Sequence, residues 1–418
     1  MEDATQDQIE SLYDQQCAIN LYSKGINILV INYFKLEFMG GGETLSIGLF
    51  NYLAKHNVIK YISPVNINQI DRISTNEVKS KIKFEYEKVP FTSPHLSKIS
   101  RPYPSKNIFS NYNIILYFLD RPPSKQLLRL LKFSNVPTVF LLHGLTIEKL
   151  NKGNLFISLY TYFINKIAKN RIVSLNTKNI YLQLLNENTL RSYMKNSGLD
   201  KRIFQIDNGI DFTKYQIKNP ERFTVIWIGR IENRTKGIML LMSIIKKFNM
   251  LIKEKQMDLK PEFVIIGSGR KSKRLLKMSS TITNLKYLGY VSEAEKLRLL
   301  STSSIMLITS KIDPFPIVAL EGIASGLYLL STQVSGPSEI INKNKLLGQI
   351  FPFEPNTFAS RIYDIYMKWI NDRDNFYYEK IIRKEVGSQL FPELQMYRNY
   401  SKMIVEVLKM SGYYHEIG

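Results

Sequence analysis

Between Ile308 and Ser325 the chain reads ITSKIDPFPIVALEGIAS. Ahead of this stretch, Ile305 to Ile308 is a continuous apolar run of the kind a fully buried strand needs. The run breaks at Thr309-Ser310, a short loop carries Asp313 and Pro314, and a helix is expected to restart at Pro316. Proline suits a first helical turn, whose N–H groups have no intrahelical acceptor in any case. The amides of Ile317 and Val318 are then left pointing outward with the positive end of the helix dipole, and together they compose an anion site. Asp313 precedes the helix, Glu321 lies inside it, and seven residues separate them. Amides for a phosphate and Glu321 for ribose hydroxyls would hold a nucleotide; a capped helix with a charged face is the plainer alternative.

The same alternation extends outward through the second half of the chain. Apolar strand-like runs at Thr224 to Ile228, Phe263 to Ile266, Lys286 to Leu288 and Tyr328 to Leu330 are separated by helical segments, one opened by the capping pattern Ser292-Glu293-Ala294-Glu295. Strands alternating with helices demand a parallel sheet covered on both faces, with ligands at the carboxyl ends of the strands. Several loops at those ends carry suitable chemistry. Gly229-Arg230 and Lys236-Gly237 offer two cations for a diphosphate; Gly267-Ser268-Gly269 lets a backbone come close; Ser335-Gly336-Pro337-Ser338-Glu339 forms one further helix start.

The first half follows the same plan. Ile26 to Phe34 reads as a strand, leading to a turn with Gly40-Gly41-Gly42-Glu43 and a helix from Thr44. Alternation from Val78 to Tyr86 predicts a half-buried strand, and the proline-rich, basic span from Val89 to Asn107 predicts a surface loop. Ile114 to Leu119 and Val136 to Leu142 are further strands, the second ending at His143-Gly144, where substrate chemistry is found in such sheets. A structural, hydrogen-bonded histidine is the alternative there. Phe156, Leu159, Tyr160, Phe163 and Ile167 recur at helical spacing and read first as core. Short strands are expected at Ile172 to Leu175 and Phe204 to Ile206, the latter closed by Asn208-Gly209-Ile210-Asp211. The break at Lys218-Asn219-Pro220 sets the expected division into domains 1–218 and 219–390, with an amphipathic helix in 391–418.

Composition bounds the function. At 418 residues the chain exceeds one comfortable core, and 44% hydrophobic with 22% charged residues is ordinary for a globular protein. Its 57 basic against 36 acidic residues give +21, which draws it to anionic surfaces. A membrane surface ranks above nucleic acid, since no nucleic-acid motif occurs. One cysteine, Cys17, excludes a disulfide framework or a cysteine metal cluster, and His56, His95, His143 and His415 never reach ligand spacing. No apolar run approaches the roughly 18 residues of a bilayer span, and the start is polar and acidic, so a cytoplasmic location is expected.

With these residues quoted, the chain resembles the retaining glycosyltransferases of family 4, whose fold is GT-B: two Rossmann-like parallel-sheet domains facing across a cleft. The resemblance runs from Gly40–Glu43 through His143-Gly144, Asn208–Asp211, Gly229-Arg230 with Lys236-Gly237 and Gly267–Gly269 to Asp313–Glu321 and Gly336-Pro337. It implies a hexosyltransferase that takes a nucleotide-sugar, UDP-linked before GDP-linked, as substrate, with neither cofactor nor metal. The acceptor would be a bacterial surface glycan or lipid-linked intermediate of the lipopolysaccharide, capsule or teichoic acid type, met peripherally at an anionic membrane face. His143, Arg230, Lys236, Asp313 and Glu321 would form the catalytic set. Gly41, Gly42, Gly229, Gly267, Ser268, Gly269, Phe315, Pro316, Ile317 and Val318 would bind the donor. The last helix would cross back to the first domain. Two positions depart from the family pattern: Asp313 replaces a glutamate, and Pro316 replaces a glycine, which moves the phosphate to the amides of Ile317 and Val318. A non-catalytic GT-B binding protein and a nucleotide-sugar epimerase are the alternatives.

Overall fold

The computed structural model describes residues 25–32, 41–66, 81–91, 109–119, 131, 134–143, 163, 166–167, 170–172, 179–187, 202–257 and 261–412. Seven strands form the first sheet: β1 (Asn27–Ile31), β2 (Val58–Asn66), β3 (Glu85–Phe91), β4 (Ile114–Phe118), β5 (Thr138–Leu142), β6 (Ile180–Leu184) and β7 (Ile203–Gln205). Their order is β3-β2-β1-β4-β5-β6-β7, with every pairing parallel. Six strands form the second: β8 (Thr224–Ile228), β9 (Glu262–Ile266), β10 (Leu285–Gly289), β11 (Ile305–Ile308), β12 (Tyr328–Thr332) and β13 (Gly348–Phe351), ordered β10-β9-β8-β11-β12-β13 and again parallel. β4, β5 and β11 are buried along their whole length, as strands covered on both faces must be. Each sheet reverses its strand order once, between β1 and β4 and between β8 and β11. Those switch points are where doubly wound sheets open a crevice.

Helix α1 (Gly41–Leu53) packs on the first sheet, while α2 (Ile238–Glu254), α3 (Ser272–Ser279), α4 (Glu293–Thr302), α5 (Ile317–Ala324) and α6 (Ser335–Asn342) surround the second. Two long helices follow, α7 (Pro355–Asn371) and α8 (Arg373–Leu390), and then α9 (Glu393–Met410). Met396, Tyr397, Tyr400, Met403, Ile404, Val407 and Leu408 of α9 share one core cluster with Ile28, Phe50, Ile114 and Val139 of the first domain. Burying each such side chain contributes about 1.5–3 kcal/mol at the upper bound, so the chain's last helix is a structural part of its first domain. Where it crosses, Gly209 comes so close to Pro392 that an added Cβ would stand 2.6 Å from its carbonyl oxygen.

Several local expectations move. The third strand is Glu85–Phe91, in register with Lys60 to Asn66, rather than Val78 to Tyr86. Pairing with β2 selects the register, and Pro90 is tolerated because this strand is an edge. Ile82, Phe84 and Tyr86 still lean on the first-domain core, which explains the alternation. Of the strand expected at Ile172 to Leu175 only Ile172 is described, and it is helical; a strand not anticipated runs over Ile180–Leu184. The helix expected from Thr44 begins at Gly41. Phe163 and Ile167 are exposed rather than core, and the rest of that stripe lies outside the described residues.

Candidate active site

The loop leaving β8 carries Arg230 and Lys236, and a carboxylate gives it its shape. Glu232 accepts the backbone amides of Arg234 at 2.7 Å, Thr235 at 3.0 Å and Lys236 at 3.2 Å, and it also takes the Thr235 hydroxyl. Burial opposes its charge, yet these hydrogen bonds outweigh that and hold its pKa below the ordinary glutamate value. The loop closes at Gly237, whose φ of 64° is left-handed and whose missing Cβ would stand 1.9 Å from the Thr309 carbonyl oxygen. Only glycine permits that approach, and it joins two loops. Lys311 N donates to Thr235 O at 2.6 Å, and the Thr309 hydroxyl donates to Lys236 O at 2.9 Å. Arg230 stands exposed with no side-chain partner among the described residues.

Asp313 is 6% exposed. Its Oδ2 receives the Lys236 ammonium at 2.6 Å and the Ser310 hydroxyl at 3.1 Å. The residue expected to touch the sugar and the residue expected to face the diphosphate therefore form one ion pair. Pro316 is the N-cap of α5 and not its first helical residue, with φ −71° and ψ 116°. The amides of Ile317 and Val318 open the helix behind it. Phe315 turns inward, edge-on to Phe391 at 6.1 Å, so its side chain is core while its backbone lines the loop.

First-domain residues grip the same loop. Asn186 Nδ2 donates to Pro314 O and Asn208 Nδ2 to Phe315 O, both at 3.3 Å. Glu339 of α6 accepts Glu187 N at 3.0 Å and Gln205 Nε2 at 2.9 Å, and Lys343 pairs with Asp207 at 2.6 Å. Asn186 and Glu187 follow β6 and Asn208 follows β7, so the carboxyl ends of the two sheets face one another.

Glu321 lies in the second turn of α5, buried, with Oε1 2.7 Å from the Lys296 ammonium and 3.4 Å from the Tyr215 hydroxyl. In the loop after β9, Gly267 has φ 130°, and a Cβ there would stand 1.9 Å from Gly229 O. Ser268 O takes Ile231 N at 2.9 Å, so the loops after β8 and β9 run in backbone contact. Gly269 and Ser268 are exposed.

His143 stands at the carboxyl end of β5, half-buried. Gln183 donates its amide nitrogen to Leu184 O and Ile206 O, which leaves its Oε1 as an acceptor 3.0 Å from His143 Nε2. Nε2 therefore carries the proton, shared with Tyr400 Oη at 2.9 Å, and Nδ1 is the acceptor face of a neutral ring. Burial pushes its pKa down to about 4, against the opposing Gln183 bond. The histidine is at once tethered to the core and available through one nitrogen.

The site residues of the second domain thus gather on one face. Gly41 and Gly42 begin α1, and a Cβ added at Gly42 would meet nothing within 4 Å; Gly40 and Gly144 lie outside the described residues. Sequence reading gave no role to Glu232, Lys296, Asn186 and Tyr400. Lys296 stood directly after a capping pattern, and Asn208 was quoted within a motif without a partner.

Two facing parallel sheets whose carboxyl ends meet across a crevice define the GT-B class of fold. Residues 211–382 match the family described as glycosyl transferases group 1. HepE of Anabaena, solved in complex with UDP, is similar over 91% of this chain and 100% of its own, at 15% identity and a TM-score of 0.64. A glycosyltransferase from Rickettsia africae matches over 92% and 99%, at 16% identity and 0.66. WaaG, a glycosyltransferase involved in lipopolysaccharide biosynthesis, matches over 90% and 99%, at 12% identity and 0.59. No curated protein matches the chain by sequence. The family match thus covers the second sheet and its helices, and the likeness to the solved structures is one of fold.

Proposed function

We propose that the protein is a retaining glycosyltransferase that moves a hexose from a nucleotide-sugar, UDP-linked before GDP-linked, to a surface-glycan or lipid-linked acceptor. The observation that carries this reading is the Lys236–Asp313 ion pair ahead of α5, with Arg230 exposed on the loop that holds Lys236 and Glu321 in the second turn of the helix. In the reaction the bond between the anomeric carbon and the diphosphate oxygen breaks, and a bond from the acceptor oxygen forms on the same side. The acceptor's proton passes to the departing phosphate. Arg230 and Lys236 stabilise the charge that develops there, each such preorganised donor being worth about 2.7–4 kcal/mol, and this makes a metal ion unnecessary. The amides of Ile317 and Val318 hold phosphate oxygens at the α5 terminus. Glu321 takes the ribose hydroxyls. Asp313, once the diphosphate claims Lys236, is released to the sugar. His143, neutral at pH 7, accepts a hydrogen bond from a hydroxyl of sugar or acceptor rather than countering phosphate charge.

The acceptor lies against the first domain and the donor in the second. Among the described residues no helix is long and apolar enough to cross a membrane. The charge of +21 supports peripheral work at an anionic membrane face on a lipid-linked acceptor. Calorimetric titration with UDP, GDP, ADP and CMP, without and with magnesium, tests the reading. Tight binding of UDP without metal, lost in Arg230→Ala, is the expected result; no binding by any of the four would sink it in favour of a non-catalytic binding protein.

A further inference from the structure

We propose that Lys296 is the positioning residue that presents Glu321 to the donor's ribose, and that the protein's preference for a ribonucleotide depends on it. The inference rests on the nucleotide-sugar reading above and adds to it a residue from outside the loops that carry the donor.

Glu321 sits on α5 and is 7% exposed. A carboxylate so placed needs a counter-charge, because leaving one buried and unpaired is strongly destabilising. α5 supplies none. The partner comes from α4, where Ser292 caps the helix by accepting Glu295 N at 3.2 Å and so fixes the rotational setting of the first turn. That setting sends Lys296 inward, with its side chain 18% exposed, to reach Glu321 Oε1 at 2.7 Å and Glu293 Oε2 at 2.9 Å. Burial works against the lysine's charge, but Glu321 and Glu293 outweigh it and raise its pKa above the ordinary value, so the ammonium persists across the physiological range.

The division of labour within the carboxylate is the decisive geometry. Both recorded partners, Lys296 and Tyr215, fall on Oε1, and Oε2 has no hydrogen-bond donor among the described residues. Two donors on one oxygen fix the plane of the carboxylate and leave the other oxygen as a preoriented acceptor. An ionised carboxylate only accepts, and each vicinal hydroxyl of a ribose has an O–H to donate, so this arrangement selects a diol over a deoxy sugar. Without Lys296 the carboxylate would turn, and the diol would gain nothing over its absence. Lys296 itself would not touch the nucleotide.

Titration calorimetry with UDP and with 2′,3′-dideoxy-UDP tests this on the wild type, Lys296→Met, Lys296→Gln and Lys296→Arg. The wild type is expected to bind UDP at least tenfold tighter than the dideoxy ligand. In the Met variant UDP affinity should fall to the dideoxy level, while dideoxy-UDP affinity stays within twofold of the wild type; Arg should restore most of the preference. The Gln variant keeps the length without the charge and gives the same measurement should Met fail to fold. A neutral variant that keeps the tenfold preference overturns the inference, and so does one that loses affinity for both ligands equally, since Lys296 would then touch the diphosphate. A wild type that binds UDP without preferring the diol removes the ribose role of Glu321, and a wild type that binds neither nucleotide removes the nucleotide-sugar reading itself.

Discussion

Lys296 and Lys380 are both lysines withdrawn from water, and they stand in opposite electrostatic settings. Lys296 meets two carboxylates at the mouth of the donor cleft, and its charge is reinforced. Lys380 of α8 is fully buried and meets only carbonyls: Ser303 O at 2.6 Å, Lys218 O at 3.2 Å and Ser301 O at 3.4 Å. Burial, with Arg383 beside it, drives its pKa down to about 7. The contrast separates two uses of one side chain. Carboxylates keep a cation charged and turn it into a tool for orienting a ligand group. Carbonyls accept its N–H groups whether or not the charge survives, and turn it into a strut. Lys380 and its neighbour Lys384, which donates to Tyr215 O, tie the linker at 215–218 to the second domain.

The largest test of that contrast is catalytic. Lys236→Ala should cost about 10²–10³ in kcat, or about 2.7–4 kcal/mol, with nucleotide release as the readout. Lys380→Met should leave turnover within a fewfold, and a loss matching that of Lys236→Ala would break the division between tool and strut.

The next effect is on stability and has a definite pH window. Between pH 7 and about 10.5 the unfolded chain holds a proton at Lys380 that the folded chain has shed. Stability should therefore rise with pH across that window, by up to about 1.4 kcal/mol per unit from this group, and the penalty is fully present below pH 7. Urea denaturation at pH 7.5 and pH 9.5 should show the rise in the wild type and its loss in Lys380→Met. A rise of equal size in the variant would assign it to another group.

Gly387 links the two regions, because it is where α8 lies on α5. An added Cβ would stand 2.3 Å from Ile323 Cγ2 and 2.9 Å from the Phe212 ring, two residues along α5 from Glu321. Gly387→Ala should cost about 1–3 kcal/mol by overpacking and weaken UDP binding as α5 shifts. Unchanged binding at reduced stability would mean that strut and site are mechanically independent. The smallest effect belongs to the partly exposed pair Lys343–Asp207 across the domains. Lys343→Met should change the denaturation free energy by no more than about 1 kcal/mol, screened further by salt.

Much of this was readable along the chain. β11, its loop and α5 follow from the Ile305–Ser325 text because a fully buried strand needs a continuous apolar run and a helix start needs its break. β2, β6 and β13 escaped for physical reasons. Val58–Asn66 mixes Lys60, Ser63 and Pro64 into its run, Ile180–Leu184 carries the buried Gln183, and Gly348–Phe351 is four residues long. Gln183 was hidden because its value lies in two partners distant in sequence, the Ile206 carbonyl and His143, besides the carbonyl of its neighbour Leu184. The site divides in the same way. Arg230, Lys236 and Asp313 sit in loops whose place the alternation dictates, and Glu321 in the helix that follows one, whereas Lys296 matters only through the Glu321 that folding sets beside it.

Sequence by itself determined the alternation of strand and helix, the loops that bear charge and glycine, and the amphipathic face of the last helix. These are local, since periodicity and the tolerance of left-handed backbone are properties of neighbouring residues. Tertiary structure alone decided which side chains of α9 enter the first core, that Lys236 rests on Asp313, that Nε2 of His143 carries the proton, and that both partners of Glu321 fall on Oε1. Those outcomes depend on pairing groups tens or hundreds of residues apart, where burial and counter-charge set the energy and no spacing in the chain records them.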